Sequence, residues 1–328
     1  MIEEIELNLY RIEVPLPKNP LRTINSYLIK GNDRFLIIDT GMNREECLSI
    51  FDTSLKELDV DLQKTDFFIT HFHSDHLGLA PTLATEKSIV YLNQTEITLV
   101  TAPAYNSRWI TLQAFYMSHG FPEEEIKRAL TSNPGFLYGP KCPIAFTAIS
   151  DGDRVEIGDY SLTCIETPGH APGHMCLYDA DKKILFSGDH ILFDITPNIG
   201  YAPDYLGMSN PLGSYLQSLD KVYPLEVNLV LPGHRTRKNN HRSRIKQLQK
   251  HHAIRLQEII GALDAGAKTA YDVAAHITWE IRYKTWDQFP IAQKYFAVSE
   301  TVAHLEHLVA QNKVKKNTVN GHIEYWLI

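Results

Sequence analysis

The chain has 328 residues, 44% of them hydrophobic and 22% charged, which excludes disordered and fibrous classes and supplies apolar surface for one large domain plus a smaller one. A formal net charge of −7 excludes a global attraction to nucleic acid or anionic membrane and leaves only local basic faces. No apolar run approaches the roughly 20 residues that span a bilayer, and the start, Met1-Ile2-Glu3-Glu4, lacks the pattern of a signal peptide, so a cytoplasmic location is expected.

In chain order, β-rich runs separated by turns predict strands over 5–14, 25–30 and 35–39, with Gly31-Asn32-Asp33 as a hairpin turn. Apolar Cys47, Ile50, Phe51, Leu55 and Leu58 at helical spacing predict a helix over 43–58, followed by a buried strand over 66–70. A helix near 77–84 and a strand over 88–92 lead into 94–138, which reads as helices broken at Pro103, Pro122 and Pro134. That stretch, about 94–140, looks inserted, and its aromatic residues suggest a lid. Strands return at 147–149, 154–157, 161–166, 175–179 and 184–187. A helix over 209–223 then precedes an apolar strand over 227–231. Beyond 240 the pattern turns helical, over 241–263, 269–277 and 291–311, and closes in a hairpin about Asn320-Gly321. Helices ending in a hairpin suggest a small winged-helix-like domain over 241–328. Cys47, Cys142, Cys164 and Cys176 show no C-x-x-C spacing and read as reduced apolar fillers.

Chemistry concentrates where the strand over 66–70 ends, in His71-Phe72-His73-Ser74-Asp75-His76. Histidines two apart, followed at once by Asp and His where the chain turns, can converge on one point. Imidazole nitrogen and carboxylate oxygen suit zinc, iron or manganese. Further polar residues follow other strands: Thr167-Pro168-Gly169-His170, Ser187-Gly188-Asp189 and Leu231-Pro232-Gly233-His234, with Ile38-Asp39-Thr40-Gly41 upstream.

In this order, these segments resemble the five signature motifs of the metallo-β-lactamase superfamily, over about residues 1–240. The resemblance implies an α/β (α+β) fold, an αββα sandwich with its site along one edge. It implies that His71, His73 and His170 hold one metal, that Asp75, His76 and His234 hold another, and that Asp189 bridges them. Asp39 would support these ligands without being one, since ligating histidines need an acceptor for their other N–H. The implied cofactors are two divalent ions, zinc first and iron or manganese as alternatives. The implied enzyme is a metal-dependent hydrolase whose nucleophile is a metal-bridging hydroxide, with Asp75 and Asp189 as the catalytic carboxylates. No G-x-S-x-G or phosphate-loop motif offers a different scheme.

A bridging Asp189 is similar to the glyoxalase II-like branch and to phosphodiesterases, and disfavours antibiotic hydrolysis. His73 stands where flavodiiron proteins usually carry Glu, and the short span from Asp189 to His234 leaves no room for the domain that some nucleases insert there. The segment 191–199 with Asn210-Pro211-Leu212 and Tyr215-Leu216 resembles a subgroup carrying a C-terminal winged helix, which includes endoribonucleases and other hydrolases. The helix over 291–311 holds Glu300 and Glu306 against Lys294 alone, a poor phosphate reader.

The leading expectation is therefore a hydrolase of a small ester, thioester or related anionic metabolite. The alternatives are a phosphodiesterase or endoribonuclease acting on single-stranded nucleic acid, which is not favoured, and a non-hydrolytic iron-binding redox or sensor protein. No membrane partner is expected, and a homo-oligomer is compatible with the sequence. Substrate contacts are sought at Tyr105, Trp109 and Tyr116 in the insertion and at Arg235. The run Arg235, Arg237, Lys238, Arg242, Arg244 and Lys246 reads either as an anion-attracting patch or as a solvated helix start. His174 competes with His170 for a metal role. His190, His119, His251, His252, His276, His304 and His307 read as packing or surface residues.

Overall fold

Side chains that alternate along extended segments must find a separate apolar environment on each sheet face, and the chain divides accordingly. The computed structural model describes residues 1–102, 108–140, 144–201, 208–266, 268–280, 282–283 and 285–328. β1 (Ile2–Glu6), β2 (Leu9–Pro15), β3 (Thr23–Lys30) and β4 (Phe35–Ile38) form an antiparallel meander. The run expected as one strand over 5–14 is thus two. The chain reverses at Leu7-Asn8, with Asn8 at φ 63°, a left-handed conformation that Asn tolerates.

After α1 (Glu45–Glu57), β5 (Thr65–Phe68) pairs parallel to β4. The predicted helix near 77–84 is two single turns, α2 (Ser74–Leu77) and α3 (Ala80–Leu83). Pro81 stands in the first turn of α3, where its missing N–H costs nothing. β6 (Val90–Asn93) follows, then α4 (Gln94–Thr101), α5 (Arg108–Ser118), α6 (Glu123–Thr131) and α7 (Pro134–Tyr138), and β7 (Thr147–Ile149) completes a seven-stranded sheet in sequential order.

The second sheet contains β8 (Arg154–Ile157), β9 (Tyr160–Glu166), β10 (Met175–Asp179) and β11 (Ile184–Gly188), all antiparallel. α8 (Pro211–Val222) carries the chain across to β12 (Leu229–Pro232), which lies parallel to β11. The remainder is α9 (His241–Asp264), α10 (Ala270–His276), α11 (Ile291–Ala310) and the hairpin β13 (Val314–Val319) and β14 (His322–Leu327). Its two-residue turn, Asn320-Gly321, has both φ angles positive, as a tight hairpin turn of this kind requires.

Period-two alternation sets the layers. Tyr27, Ile29, Leu36, Ile38 and Phe68 face Leu162, Cys164, Leu177, Phe186 and Leu231 in a core between the sheets. Their neighbours Ile24, Leu28, Ile37, Phe67 and Ile69 pack outward against Cys47, Phe51 and Leu55 of α1. Across the molecule, Cys176, Tyr178 and Leu185 pack against Tyr215 and Leu219 of α8 and Ile245 and Leu248 of α9. The result is a helix, sheet, sheet, helix sandwich.

A further core ties the inserted helices to the C-terminal part of the chain. Leu112 and Tyr116 of α5, Phe121, and Ile126 and Leu130 of α6 share one apolar cluster with Ile259, Val273, Val298, Val302 and Tyr325. The sequence boundary expected near 240 therefore opens onto a core that also draws on residues 108–131. Among the described residues no helix is long and apolar enough to cross a membrane. Cys47, Cys164 and Cys176 are buried free thiols, and Cys142 lies outside the described residues.

Candidate metal centre

Parallel pairing places the C-terminal ends of β4 and β5, and of β11 and β12, at one edge of the sandwich, the edge where crossover loops gather polar residues. Asp39 follows β4 directly, His71 to His76 follow β5, Asp189 follows β11 and His234 follows β12. His170 lies in the loop from β9 to β10. The sheets are tied together at this edge, because Asn25 donates its backbone N–H to Gly233 O at 2.7 Å and its side-chain amide to Pro232 O at 3.0 Å. Gly233 permits the approach: a Cβ there would lie 2.7 Å from Asp189 Oδ1 and 3.0 Å from His76 Cε1.

The structure brings all seven expected ligands together. Donor atoms of His71, His73 and His170, of His71, His76 and Asp189, and of Asp75, His76 and His234 form three groups, each spanning no more than 4.8 Å. His71 Nε2 lies 2.9 Å from His73 Nδ1. Asp189 stands between the outer groups, its Oδ2 3.5 Å from both His170 Nε2 and His234 Nε2 and its Oδ1 3.7 Å from His76 Nε2. Asp75 Oδ2 is 3.3 Å from His234 Nε2.

Protein contacts aim the rings. His71 Nδ1 donates to Thr70 Oγ1 at 3.0 Å, and that hydroxyl donates on to Asp39 Oδ2 at 2.9 Å. His76 Nδ1 donates to the same Asp39 oxygen at 2.7 Å. His170 Nδ1 uses Asn198 O and His234 Nδ1 uses Thr23 O, each at 2.8 Å. With the outer nitrogen satisfied, the inner nitrogen presents its lone pair to the cluster.

Electrostatics agree for His71, His73 and His170, whereas His76 and His234 favour a proton that a bound metal would have to displace. Burial takes His73 to about 3 and also depresses His71 and His170, with neighbouring histidines adding to the effect, so these rings are neutral and able to ligate. At His76 and His234 burial acts the same way but is overruled, by Asp39 and Asp189 at His76 and by Asp189 and Asp75 at His234. Burial opposes ionisation of Asp75 and Asp189, yet His234 and His76 hold both carboxyls below the ordinary range.

Whether these residues suit a metal is tested by what they leave unpaired. His76 Nε2, His170 Nε2, His234 Nε2 and Asp189 Oδ1 are buried without a hydrogen-bond partner, an arrangement that costs about 1–3 kcal/mol for each group unless something else binds it. Two ligands of one tetrahedral zinc stand about 3.3 Å apart when Zn–N is about 2.0–2.1 Å. The donor separations of 2.9 to 3.7 Å bracket that value. The donor set fits divalent metal.

Other expected residues have different positions. Both ring nitrogens of His174 are engaged, Nδ1 with Thr167 Oγ1 at 2.8 Å and Nε2 accepting Asp189 N–H at 3.1 Å, so it orients Asp189 rather than competing with His170. His190 is buried against Tyr215. His252 pairs with His304 at 3.0 Å. Tyr116, 1% exposed, stacks on Tyr295 within the helical core, which is a packing position. Trp109 meets Phe136 edge-on beneath the Arg108 guanidinium, and Tyr105 lies outside the described residues.

The basic run is largely spent internally. Arg235 donates to Pro20 O, Arg237 pairs with Glu3 and Lys238 with Asp194. Arg242 and Arg244 donate to backbone carbonyls. Of these six cations, Arg237 and Lys238 are matched by carboxylates, whereas Arg235, Arg242 and Arg244 are held by neutral carbonyls and Lys246 lies over the Tyr223 ring. One residue had no signal in the sequence. Glu96 in the first turn of α4 is fully buried and receives the backbone N–H of Phe72 at 2.5 Å and of Gly173 at 2.8 Å. Burial pushes its carboxyl up to about 7 against those two bonds.

The family model described as the metallo-beta-lactamase superfamily matches residues 19–234, a span that includes every residue of the cluster. "Probable metallo-hydrolase YqjP" of Bacillus subtilis is 24% identical over 314 residues, covering 92% of each chain. "Acyl-coenzyme A thioesterase MBLAC2" of Homo sapiens is 26% identical over 236 residues, covering 64% of this chain and 72% of that one. Among solved structures, the metallo-beta-lactamase family protein TTHA1429 of Thermus thermophilus superposes with a TM-score of 0.81 at 27% identity, over 99% of this chain and 100% of that one.

Proposed function

The chain belongs to the metallo-beta-lactamase superfamily of hydrolases, and from that premise we propose that it is a dinuclear hydrolase of small acyl thioesters or related esters. The observation that carries the reading is Asp189, whose two carboxylate oxygens address His170 and His234 on one side and His76 on the other. In this reading His71, His73 and His170 hold one ion, Asp75, His76 and His234 hold the second, and Asp189 is shared. Two divalent ions so held would bring a water's pKa into the neutral range and polarise the electrophile.

The chain's own contribution is to fix geometry. Asp39, through Thr70 and directly, fixes the Nδ1 sides of His71 and His76, so that the Nε2 atom of each ring faces the cluster. His174 holds the Asp189 backbone through its N–H. The C-terminal segment supports the wall. Asn198, whose carbonyl orients His170, donates its amide to Glu300 of α11 at 3.1 Å, and Ser299 of the same helix exchanges hydrogen bonds with Tyr201. A winged-helix-like unit over 241–328 would thus serve the catalytic wall rather than nucleic acid.

A thioester substrate is favoured over a polynucleotide because Arg237 and Lys238 near His234 are already paired with Glu3 and Asp194, and because one relative bears the name acyl-coenzyme A thioesterase. Three buried free thiols fit a reducing compartment. The test is a turnover panel of acyl-CoA thioesters of increasing chain length, bis-p-nitrophenyl phosphate and single-stranded RNA, with Asp189→Ala as control. Thioester cleavage that the control reduces by roughly 10³-fold is expected, since the lost charge stabilisation amounts to several kcal/mol. Cleavage of RNA alone would refute the thioester reading, and no turnover with two ions bound would refute the hydrolase.

A further inference from the structure

Glu96 is a carboxylate with no solvent exposure that makes no salt bridge to a cation among the described residues, and both of its oxygens accept from backbone. A buried carboxyl is expensive unless its oxygens are hydrogen-bonded, and here backbone N–H groups supply those bonds. What they hold is informative. Phe72, which donates to Oε2, lies between His71 and His73. Gly173, which donates to Oε1, lies between His170 and His174. One side chain therefore joins the loop after β5 to the loop between β9 and β10, two segments about a hundred residues apart. The rings these loops carry are in contact, His73 and His170 with centroids 4.7 Å apart and His71 and His170 at 4.9 Å.

We propose that Glu96 is a positioning residue for the His71, His73 and His170 metal site, acting as a two-oxygen clamp that sets the register between the two ligand-bearing loops. The proposal rests on the reading of those three histidines as ligands of one ion. The register matters because a ligand set must be held to within about 0.5 Å to keep its geometry. Packing at the joint is equally close: a Cβ on Gly173 would stand 2.5 Å from Asn93 Oδ1 and 2.8 Å from Glu96 Cγ. A carboxylate suits the task because it offers acceptor sites on both oxygens. An amide of the same shape has one oxygen, and its NH₂ would face a backbone N–H with nothing to accept it.

The experiment uses the full chain, stripped of metal and titrated with Co²⁺, reading stoichiometry, competition with a chelator and the visible ligand-field bands. Glu96→Gln tests the clamp from the side chain. Gly173→Ala tests it from the backbone should the first variant fail to fold. Leu99→Ala, on the same helix and 5% exposed in the first core cluster, serves as a comparator that weakens packing and leaves both hydrogen bonds in place. Glu96→Gln and Gly173→Ala are expected to bind one of two cobalt ions 10- to 100-fold more weakly, the range found when groups that support metal ligands are removed, and to change the ligand-field bands. Leu99→Ala is expected to lower the melting temperature with the bands unchanged. Bands and affinities within twofold of the parent in both clamp variants would overturn the proposal and leave Glu96 a packing residue. A parent chain that takes up no cobalt would instead overturn the metal reading itself, and the clamp with it.

Discussion

Replacing Asp39 with Asn is the perturbation that separates the aiming of a ligand from its presence. Asp39 sits at φ 58°, and Asn accepts that backbone conformation, so the fold has no steric reason to object. Oδ1 receives Thr70 N–H at 2.8 Å and the Thr70 hydroxyl at 3.1 Å, and an Asn oxygen can still take both bonds, which keeps His71 aimed. The other position receives Thr70 Oγ1 at 2.9 Å and His76 Nδ1–H at 2.7 Å, and an amide NH₂ there donates instead of accepting. His76 must then accept at Nδ1 and carry its proton on Nε2, the atom directed at Asp75, Asp189 and His234. A hydrogen bond to a charged group contributes about 1.5–3 kcal/mol, which corresponds to roughly a 10- to 100-fold loss of affinity, the same range found when groups that support metal ligands are removed. Chelator competition on the reconstituted protein should show one ion bound as in the parent and the other weakened by that factor. Two ions bound within twofold of the parent affinity would refute the tautomer argument.

His174→Gln should leave two ions bound while lowering kcat, because His174 touches the Asp189 backbone and no ion; metal analysis beside steady-state kinetics distinguishes this from loss of a ligand. Burial pushes Glu300 up to about 7, against the opposing pull of Arg255 and Asn198. Its folded pKa then exceeds the unfolded value of 4.5. The folded state therefore binds more protons between the two, and this group's contribution to stability is lost as pH rises from about 4.5 to 7, by roughly 3 kcal/mol. Urea unfolding at pH 5 and pH 8 should show that slope in the parent and a smaller one in Glu300→Gln; equal slopes would contradict it. Phe51→Ala, at a fully buried site of α1, should cost about 3–5 kcal/mol, read as a lower urea midpoint with activity per folded molecule unchanged.

Much of the fold was legible because local sequence carries period and punctuation. Residues Tyr27, Leu28 and Ile29 already assign themselves to alternate faces, and the structure sends them to two different cores. The candidate ligand residues were legible for a related reason. They follow strand ends, in short segments such as Leu231-Pro232-Gly233-His234 whose turn residues and donors are adjacent in the chain. Where periodicity ran on through a reversal, as at Leu7-Asn8, it concealed the break, since only the left-handed Asn8 marks it.

The chain's linear order determined which side chains could ligate and where strands and helices alternate, while the facing of two sheets came only from the family resemblance. Only the tertiary structure decided what aims those ligands. The acceptors for His170 and His234 are the backbone carbonyls of Asn198 and Thr23, and every residue has a carbonyl, so no residue type announces the role. Tertiary contact also decided that Arg237 and Lys238 of the basic run would pair with Glu3 and Asp194, and that helices near residue 110 would share a core with those near residue 300. Glu96 shows the same division. In sequence it is one acidic residue in the first turn of a helix, and its meaning arises only when two distant loops bring their N–H groups to the same carboxylate.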